Sequence, residues 1–542
     1  MDKPINRFWH LLENYRKEIR QIYLFGVLIG VINLTLPLGI QAIINFLQAG
    51  TLSSTWVLLV IFVLVGILIG GILQIMQLRV VENSQQNLFA RSAFEFAVRL
   101  PRISYIEFDR MHAPEVTNRF FDTLEIQKGV PKIIIDFSGA IFQIVFGLII
   151  LTIYSPYFIL LGVALIFVIW LTVKFLGSKG LEASLLQSKY KYKLVYWLEE
   201  IARNVRIFKL YDPLQFHIRK TDNLVLHYIE SRESYFKVLL DQFKLFLGFK
   251  IFVAAGFLLL GGLLVFNQQM NIGQFVAAEI IIILILNSIE KLLSTLDSIY
   301  DVLTALEKIG FVADLALDQK GGNMQFQSEK GMHILAKDIT FGFPHEKFNV
   351  FNDVSFEILP NEKVVLKGRS GSGKSVLLNL LSGIYTVEEG EIYIDNVPIH
   401  NYNQPRLQGS IGLNFPINQI FEGSLKENII VGRQYDESTL MEVLNILNLS
   451  DYIIHLPHGL DYHVESGGRS LPRSVIQKIQ LARVILTRPT LVLLEEPLHF
   501  VDEDDKRRII EYLTHRDRNW TLIVVSDYEH WLKSCTRVLE LN

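Results

Sequence analysis

The chain has 542 residues, which is too long for one ordinary hydrophobic core and predicts two or more domains. Half of the residues are hydrophobic, and the mean hydropathy of +0.31 is high for a soluble protein. The formal net charge of −3 gives no reason to expect a basic surface, so we expect no nucleic-acid partner. A single cysteine, Cys535, excludes an internal disulfide and a cysteine-rich metal site.

The first segment carries an apolar stripe at helical spacing. Phe8, Leu11, Leu12 and Tyr15 lie one or two turns apart, with charged residues between them. The pattern predicts an amphipathic helix over residues 1–18 that lies at a membrane interface. A helix packed on a protein surface has the same pattern, so this alternative stays open.

Six apolar segments follow, and most have the length of about 20 residues that crosses a bilayer. They cover residues 22–47, 56–78, 133–154, 157–176, 245–266 and 272–288. The alternative, a buried bundle in a soluble protein, does not explain why so many segments share this length. The short connections lack Lys and Arg, whereas the two long ones are rich in both. The positive-inside rule therefore predicts a multi-pass protein of the inner (plasma) membrane with both termini in the cytoplasm.

The two long connections keep helical apolar periodicity although they are charged. This pattern predicts membrane helices that extend tens of ångströms into the cytoplasm, where their tips can contact a soluble domain. Several polar side chains lie inside the spans and belong either to a transport pathway or to hydrogen bonds between helices. They are Gln41, Asn45, Asp136, Gln143, Glu279 and Asn287.

The second half of the chain contains the complete pattern G-x-x-x-x-G-K-[ST]. An apolar run precedes it and apolar residues at helical spacing follow it, which predicts the strand, loop and helix order of a phosphate-binding loop. An ordinary Gly/Ser turn is the alternative. The predicted nucleotide-binding residues are Gly368, Arg369, Ser370, Gly371, Ser372, Gly373, Lys374, Ser375 and Val376. We expect Lys374 to reach the β and γ phosphates and Ser375 to bind Mg²⁺.

Another apolar run, Leu491–Leu494, ends in Glu495 and Glu496. This arrangement predicts a buried parallel strand that delivers two carboxylates at its carboxyl end. An acidic pair on the surface is the alternative, and it is disfavoured directly after four apolar residues.

Six spans with long extensions, followed by one nucleotide-binding domain, resemble an ABC exporter half-transporter over nearly the whole chain. The resemblance implies an α-helical membrane bundle fused to an α/β P-loop ATP-binding cassette. We expect an interfacial helix over residues 1–18, a transmembrane domain over 19–318 and a cassette over 319–542. ATP and Mg²⁺ are the implied cofactors. A second copy or a homologous half-transporter is the implied partner, together with the lipid bilayer.

Within the family, Met270–Phe275 and Arg119–Asp122 are similar to the type I secretion branch. Some of those exporters carry an N-terminal cysteine peptidase. This chain starts at the amphipathic helix and has its only cysteine, Cys535, near the other end, so we expect no peptidase activity. The resemblance leaves open whether the dimer is homomeric and whether an adaptor crosses the periplasm.

The resemblance also implies roles for single residues in the cassette. Phe343 stands where the family keeps an aromatic ring that stacks on adenine, although a core phenylalanine is the alternative. Glu495 corresponds to the carboxylate that holds Mg²⁺, and it is one methylene longer than the usual aspartate. Glu496 corresponds to the general base that polarises the attacking water. Asp502 matches an aspartate in the loop that crosses to the opposite subunit.

Three positions depart from the family pattern. Pro416 replaces a glutamine that senses Mg²⁺ and the attacking water, and proline has no side chain that can form a hydrogen bond. Leu471–Val475 replaces the signature L-S-G-G-Q. Asp527 replaces a histidine that contacts the γ-phosphate, and an anion there repels phosphate. Arg473 either supplies a replacement donor to the opposing phosphate or is a solvated surface arginine.

Each ATP in the family lies between the cradle of one chain and the signature of the other, so the substitutions affect both sites of a dimer. We therefore expect an ATP-driven exporter subunit, a P-loop ATPase with slow hydrolysis, that moves a substrate out of the cytoplasm. The secretion-branch resemblance favours a polypeptide cargo, while lipids and small amphiphiles stay open. The alternative is an ATP-binding regulatory or scaffold half that does not pump.

Overall fold

The computed structural model of the chain describes residues 4–48, 54–111, 113–318, 321–328, 330–344, 346–416 and 419–541. The contacts divide the chain into two compact units. The first holds Met1–Arg102 and Met111–Leu315, and the second holds Ile103–Arg110 and Ala316–Asn542. The predicted first residue of the cassette, Gln319, lies outside the described residues, and the predicted domain limits stay predictions.

The described residues up to Leu315 are mostly helical. The helices are α1 (Pro4–Asn14), α2 (Arg16–Asn33), α3 (Thr35–Gln48), α4 (Ser54–Arg99), α5 (Tyr105–Arg110), α6 (Ala113–Asn118), α7 (Asp122–Tyr154), α8 (Ile159–Arg203), α9 (Val205–Tyr211), α10 (Phe216–Phe266) and α11 (Ile272–Asp314). All of them except α5 belong to the first unit.

Six described segments are long and apolar enough to cross a membrane. They are Arg16–Gln48, Ser54–Arg102, Pro114–Tyr154, Pro156–Arg203, Phe216–Phe266 and Ile272–Asp314. The prediction of six spans is confirmed. Each segment has 33 to 51 residues, whereas about 20 cross a bilayer, so the excess forms the predicted extensions.

Several of the polar residues inside the spans join neighbouring helices, including Gln143 and Asp136. Gln143 on α7 accepts a hydrogen bond from Asn33 on α2 at 3.1 Å. Asp136 on α7 pairs with Lys291 on α11 at 2.9 Å. For Gln143 and Asp136 the structure therefore favours the interhelical interpretation, because a polar group in an apolar layer needs a partner.

The apolar stripe of α1 packs against other helices of the first unit. Phe8, Leu11 and Leu12 contact a buried cluster formed by α2, α4, α7 and α11. Arg7 pairs with Asp314 of α11 at 2.6 Å. These contacts favour the alternative in which α1 is a helix packed on the protein, and the interfacial position stays a prediction.

The second unit is an α/β domain. Its elements are β1 (Ile334–Gly342), β2 (Asn349–Ile358), β3 (Lys363–Gly368), α12 (Lys374–Leu381), β4 (Glu389–Ile394), β5 (Val397–Pro398), α13 (Gln404–Gly409), β6 (Ile411–Asn414), β7 (Gly423–Ser424), α14 (Leu425–Ile430), α15 (Glu437–Ile446), α16 (Ser450–Ile454), β8 (His463–Val464), α17 (Arg473–Leu486), β9 (Leu491–Glu495), α18 (Glu503–Thr514), β10 (Thr521–Val525), α19 (Glu529–Ser534) and β11 (Arg537–Leu541).

A parallel sheet with the order β11-β3-β10-β9-β6 forms the centre of this unit. The apolar runs of β3, β9 and β10 are almost fully buried, as expected for strands that are covered on both faces. An antiparallel sheet with the order β2-β1-β4-β5 completes the unit. Parallel strands place their carboxyl ends at one edge, so the loops after β3, β6, β9 and β10 meet there.

The short helix α5 belongs to the second unit although it comes from the first cytoplasmic connection. Tyr385 donates a hydrogen bond to the carboxylate of Asp109, and Ile106 packs against the buried core around Phe341. Ser104 donates its N–H to the carbonyl of Ala316 at 2.9 Å. The tip of this extension is therefore part of the cassette unit.

Candidate nucleotide site

The phosphate-binding loop lies between β3 and α12, as the sequence predicts. Gly373 has φ +85°, in the left-handed region, and a Cβ there would lie 2.5 Å from Val350 Cγ1. Only glycine fits this position. The loop thus brings its backbone N–H groups to the N-terminus of α12, where the helix dipole also favours an anion.

Lys374 lies across the loop. Its Nζ donates hydrogen bonds to the carbonyls of Gly368 at 2.9 Å and Arg369 at 2.8 Å. An ammonium has three donors, so these two bonds hold the side chain over the loop and leave capacity for a phosphate oxygen.

Ser375 and Glu495 come together although they are 120 residues apart. Ser375 Oγ donates to Glu495 Oε1 at 2.5 Å. A hydroxyl and a carboxylate are the hard oxygen ligands that Mg²⁺ prefers, so the longer side chain of Glu495 still fits the predicted role. The described residues contain no cluster of three or more His, Cys, Asp or Glu that could hold a metal alone. A bound Mg²⁺ would therefore complete its coordination with phosphate and water oxygens.

Glu496 lies directly after β9 in a strained conformation with φ +42°. Its N–H donates to the carbonyl of Val525 at 2.9 Å, which ties it to the end of β10. Partial burial and the negative charge of Asp527 raise the pKa of Glu496 above its usual value. Ser526, whose hydroxyl lies 3.4 Å from the carboxylate, and His499 act in the opposite direction.

Gln477 fixes the loop that carries Glu496, and sequence reasoning did not identify it. Its Nε2 donates to the carbonyl of Glu496 at 3.3 Å, and its Oε1 accepts from the N–H of Phe500 at 2.8 Å. The side chain is buried on α17. A glutamine one turn inside a helix whose buried residues are mostly apolar is the signal that could have identified it.

Phe343 is half-buried beside the core of the cassette. Its ring forms edge-to-face contacts with Phe341 at 5.4 Å and Tyr385 at 5.9 Å between centroids. These contacts agree with a core role and leave part of the ring exposed. The stacking role of Phe343 stays a prediction.

The substituted positions Pro416, Arg473 and Asp527, and the matching residue Asp502, lie at or near the ends of secondary-structure elements. Pro416 is exposed shortly after β6, and the two residues that follow it lie outside the described part of the chain. Arg473 begins α17, and its guanidinium lies 4.9 Å from the centre of the Phe500 ring. Asp502 is exposed at the N-cap of α18. Asp527 is exposed after β10 and acts electrostatically on Glu496.

Two family models match this chain. The ABC transporter model matches residues 351–499, and the ABC transporter transmembrane region matches residues 21–289. The chain belongs to the ABC transporter family. It has the architecture of an exporter half-transporter, a six-helix membrane region fused to one cassette. It is accordingly a multi-pass inner-membrane protein with its cassette in the cytoplasm, as predicted.

Relatives of different transport roles resemble this ABC half-transporter. An ATP-dependent lipid A-core flippase of Burkholderia orbicola is 25% identical over 51% of this chain and 46% of its own length. The glutathione/L-cysteine transport system ATP-binding/permease protein CydC of Haemophilus influenzae is 27% identical over 43% of this chain and 42% of its own length. The chain spans about half the length of the curated relatives it matches.

A solved structure supports the fold over almost the whole chain. The structure of a bacterial Atm1-family ABC exporter with ATP bound has a TM-score of 0.81 to this chain at 16% identity. The match covers 97% of this chain and 93% of that one. The predicted fold class, a membrane bundle with a P-loop cassette, is confirmed.

Proposed function

We propose that the chain is one half of an ATP-driven exporter that binds ATP tightly and hydrolyses it slowly. The observation that supports this is the contrast between two groups at one sheet edge. Lys374 and the Ser375–Glu495 pair are the groups suited to hold a triphosphate and its Mg²⁺, and the chain retains them. Asp527 instead presents a negative charge next to the general base Glu496.

Slow hydrolysis follows from the groups that act on the transition state. Burial and Asp527 raise the pKa of Glu496, so at acidic pH a larger share of this group is protonated and cannot accept a proton from the attacking water. Asp527 has no positive charge to offer the γ-phosphate and repels it. Pro416 has no donor for the water. Losing one preorganised donor commonly slows phosphoryl transfer by about 100-fold.

Mg²⁺ fits the proposal as a cofactor held by Ser375 and Glu495. When bound, it neutralises the charge that develops on the β and γ phosphate oxygens. Lys374 and the loop N–H groups hold the triphosphate in position for Glu496, and this positioning is the part of catalysis that the chain retains.

The complete site requires a second chain, either another copy or a homologous half-transporter. In a homodimer the partner contributes Leu471–Val475 in place of the usual signature, so both sites lack its glycines and serine. A homologous partner with an intact signature supplies that signature only to the site that uses the cradle of this chain. The other site still contains Leu471–Val475 of this chain. We therefore expect slower ATP hydrolysis in the homodimer than in a heterodimer with such a partner.

A regulatory or scaffold half that does not pump is the second candidate. The combined substitution of Pro416 and Asp527 favours it, because a protein that needs only ATP binding can lose both groups without losing its role. Transport by the wild type and by Lys374→Ala separates the two candidates. Loss of movement with an intact complex supports the pump, whereas loss of assembly alone supports the scaffold.

The motifs that favour a polypeptide cargo also have local structural roles. Asn271 caps α11. Its side-chain oxygen accepts a hydrogen bond from the N–H of Gln274 at 2.7 Å, and its own N–H donates to the side-chain oxygen of Gln274 at 2.9 Å. The guanidinium of Arg119 lies 3.7 Å from the centre of the Phe311 ring. A polypeptide cargo and an adaptor across the periplasm are thus proposals that rest on the secretion-branch resemblance. Vesicles loaded with candidate peptides or fluorescent lipids distinguish these cargo classes.

Turnover of the purified protein in lipid tests the main proposal. We expect saturable, Mg²⁺-dependent ATP binding together with hydrolysis well below the usual enzymatic range of about 1 to 1000 per second. A rate within that range that Glu496→Gln abolishes would refute slow turnover. A protein that fails to bind ATP would refute the proposal as a whole.

A further inference from the structure

A cavity of about 450 Å³ lies among the cytoplasmic extensions of the membrane unit. It is formed by α6 and the turn after it, α8, α10 and α11, all within Met111–Leu315. Its volume is in the range of small-molecule sites. The cationic side chains that line it are Arg119, Lys189, Lys193, Lys220 and Lys308.

The positive charge of this cavity is only partly compensated. Arg119 pairs with Glu115, a lining residue, at 2.9 Å. Within the described part of the chain, none of the four lining lysines forms an ion pair within 4.0 Å with a carboxylate. Four ammonium groups around one cavity repel each other and raise the local concentration of anions.

Aromatic rings contact three of the ammonium groups, among them Lys193 Nζ, which lies 5.4 Å from the centre of the Tyr190 ring. Lys220 Nζ lies 3.8 Å from the centre of the Trp197 ring, and Lys308 Nζ lies 5.5 Å from that of Tyr192. Trp197 is itself buried, with its Nε1 donating to Thr221 Oγ1 at 3.1 Å. The charges are therefore partly preorganised, which lowers the entropy lost when an anion binds.

The cavity lies well away from the predicted bilayer. Arg119 precedes the third apolar segment by 14 residues and Trp197 follows the fourth by 21. At about 1.5 Å per helical residue these separations correspond to roughly 20–30 Å. A lipid headgroup does not reach this depth, so the ligand comes from the cytoplasm.

We propose that the cavity binds a small soluble anion that carries several phosphate groups. Glu115, Asp122 and Glu307 act electrostatically on Lys308, whereas Lys189, Lys193 and Lys220 are exposed lysines at the cavity. Lysine binds phosphate as a point charge, and several lysines around one cavity match the charge of a tripolyphosphate chain better than that of a single carboxylate. This site is separate from the nucleotide cradle, and its existence does not depend on transport or on ATP hydrolysis.

Calorimetry with tripolyphosphate as the probe tests the proposal on the full chain in lipid nanodiscs. The experiment uses the Lys374→Ala variant, in which the phosphate contact of the cradle lysine is removed. We expect one saturable site per chain, quenching of Trp197 fluorescence on binding, and weaker binding as salt is added. Trp197→Phe removes the fluorescence change and identifies the site that reports it.

The lysine variants make the test specific. Lys193→Gln with Lys220→Gln weakens binding by about tenfold or more, because two charge-assisted contacts are lost. The matched control, Lys179→Gln with Lys237→Gln, changes exposed lysines of the same two helices outside the cavity and stays within about twofold. Equal affinity of both double variants, or no saturable binding, overturns the proposal. Equally tight binding of tetraglutamate overturns the choice of phosphate.

Discussion

The loop after β3 and the loops after β6 and β10 lie at the same edge of one sheet, yet they differ in what they retain. The first keeps every fixed position of the phosphate-loop pattern, and there Lys374 bonds to two loop carbonyls while Ser375 bonds to Glu495. The other two carry Pro416 and Asp527 where donors are expected. Under the proposed function, groups that hold a triphosphate and groups that break it are lost separately, because they lie on loops that follow different strands.

Replacing Lys374, the cation of the phosphate-binding loop, tests most directly whether this loop binds ATP. Lys374→Ala weakens ATP binding by about 100-fold, since a charge-assisted contact to phosphate is lost. Equilibrium binding of a fluorescent ATP analogue measures the change. Lys347→Ala, at an exposed lysine of the same unit, is the control and leaves the affinity unchanged. Undiminished binding in Lys374→Ala would place the nucleotide elsewhere.

Replacing Glu496, the proposed general base, tests how much hydrolysis depends on it. Glu496→Gln lowers the residual turnover by about 100-fold while ATP affinity is retained, because an amide cannot accept the proton of the attacking water. Phosphate release from the protein in lipid measures it. Glu511→Gln, at an exposed position of α18, serves as control. If Glu496→Gln leaves the turnover unaltered, the base is a different group.

Changing the charge of Asp527, after β10, tests whether this substituted position slows ATP hydrolysis. Asp527→Asn removes the repulsion, and Asp527→His also restores a donor, so we expect turnover to rise by about threefold and about tenfold respectively. Steady-state assays at saturating ATP measure the order of the three proteins. A decrease in both variants would mean that Asp527 contributes to catalysis.

The pH profile sharpens the same comparison. Burial and Asp527 raise the pKa of Glu496, and the base works only when ionised. Turnover therefore falls with decreasing pH, starting at a higher pH than an unperturbed glutamate would give. In Asp527→Asn the acidic limb moves to lower pH. Identical acidic limbs in the two proteins would contradict the electrostatic coupling.

The smallest effect is expected at Arg473. Its guanidinium lies over the Phe500 ring and the residue is exposed, which supports the solvated alternative. Arg473→Ala therefore changes turnover by less than about twofold. Arg473→Lys is the matched variant that keeps the charge. A loss of about tenfold in the alanine variant, rescued by lysine, would show that Arg473 reaches the opposing phosphate.

The features that the sequence predicted well are those with local causes. Hydropathy over about 20 residues and the fixed positions of the cradle each carry their structural meaning within one segment. Ser375 and Glu495, which the motif and the family resemblance separately assign to Mg²⁺, come together because the carboxyl ends of parallel strands share an edge. The role of Gln477 and the packing of α1 did not follow, because both depend on contacts between segments distant in sequence.

The membership of α5 in the cassette unit has a consequence for synthesis on the ribosome. Residues 103–110 are translated early, and the rest of that unit begins about 200 residues later. At about 5–20 residues per second, roughly 10–40 s pass before translation of the rest of this unit begins, and its binding surface forms later still. During that interval Tyr105 and Ile106 remain without their native neighbours, so the cassette completes its fold only after the membrane helices between them have been made.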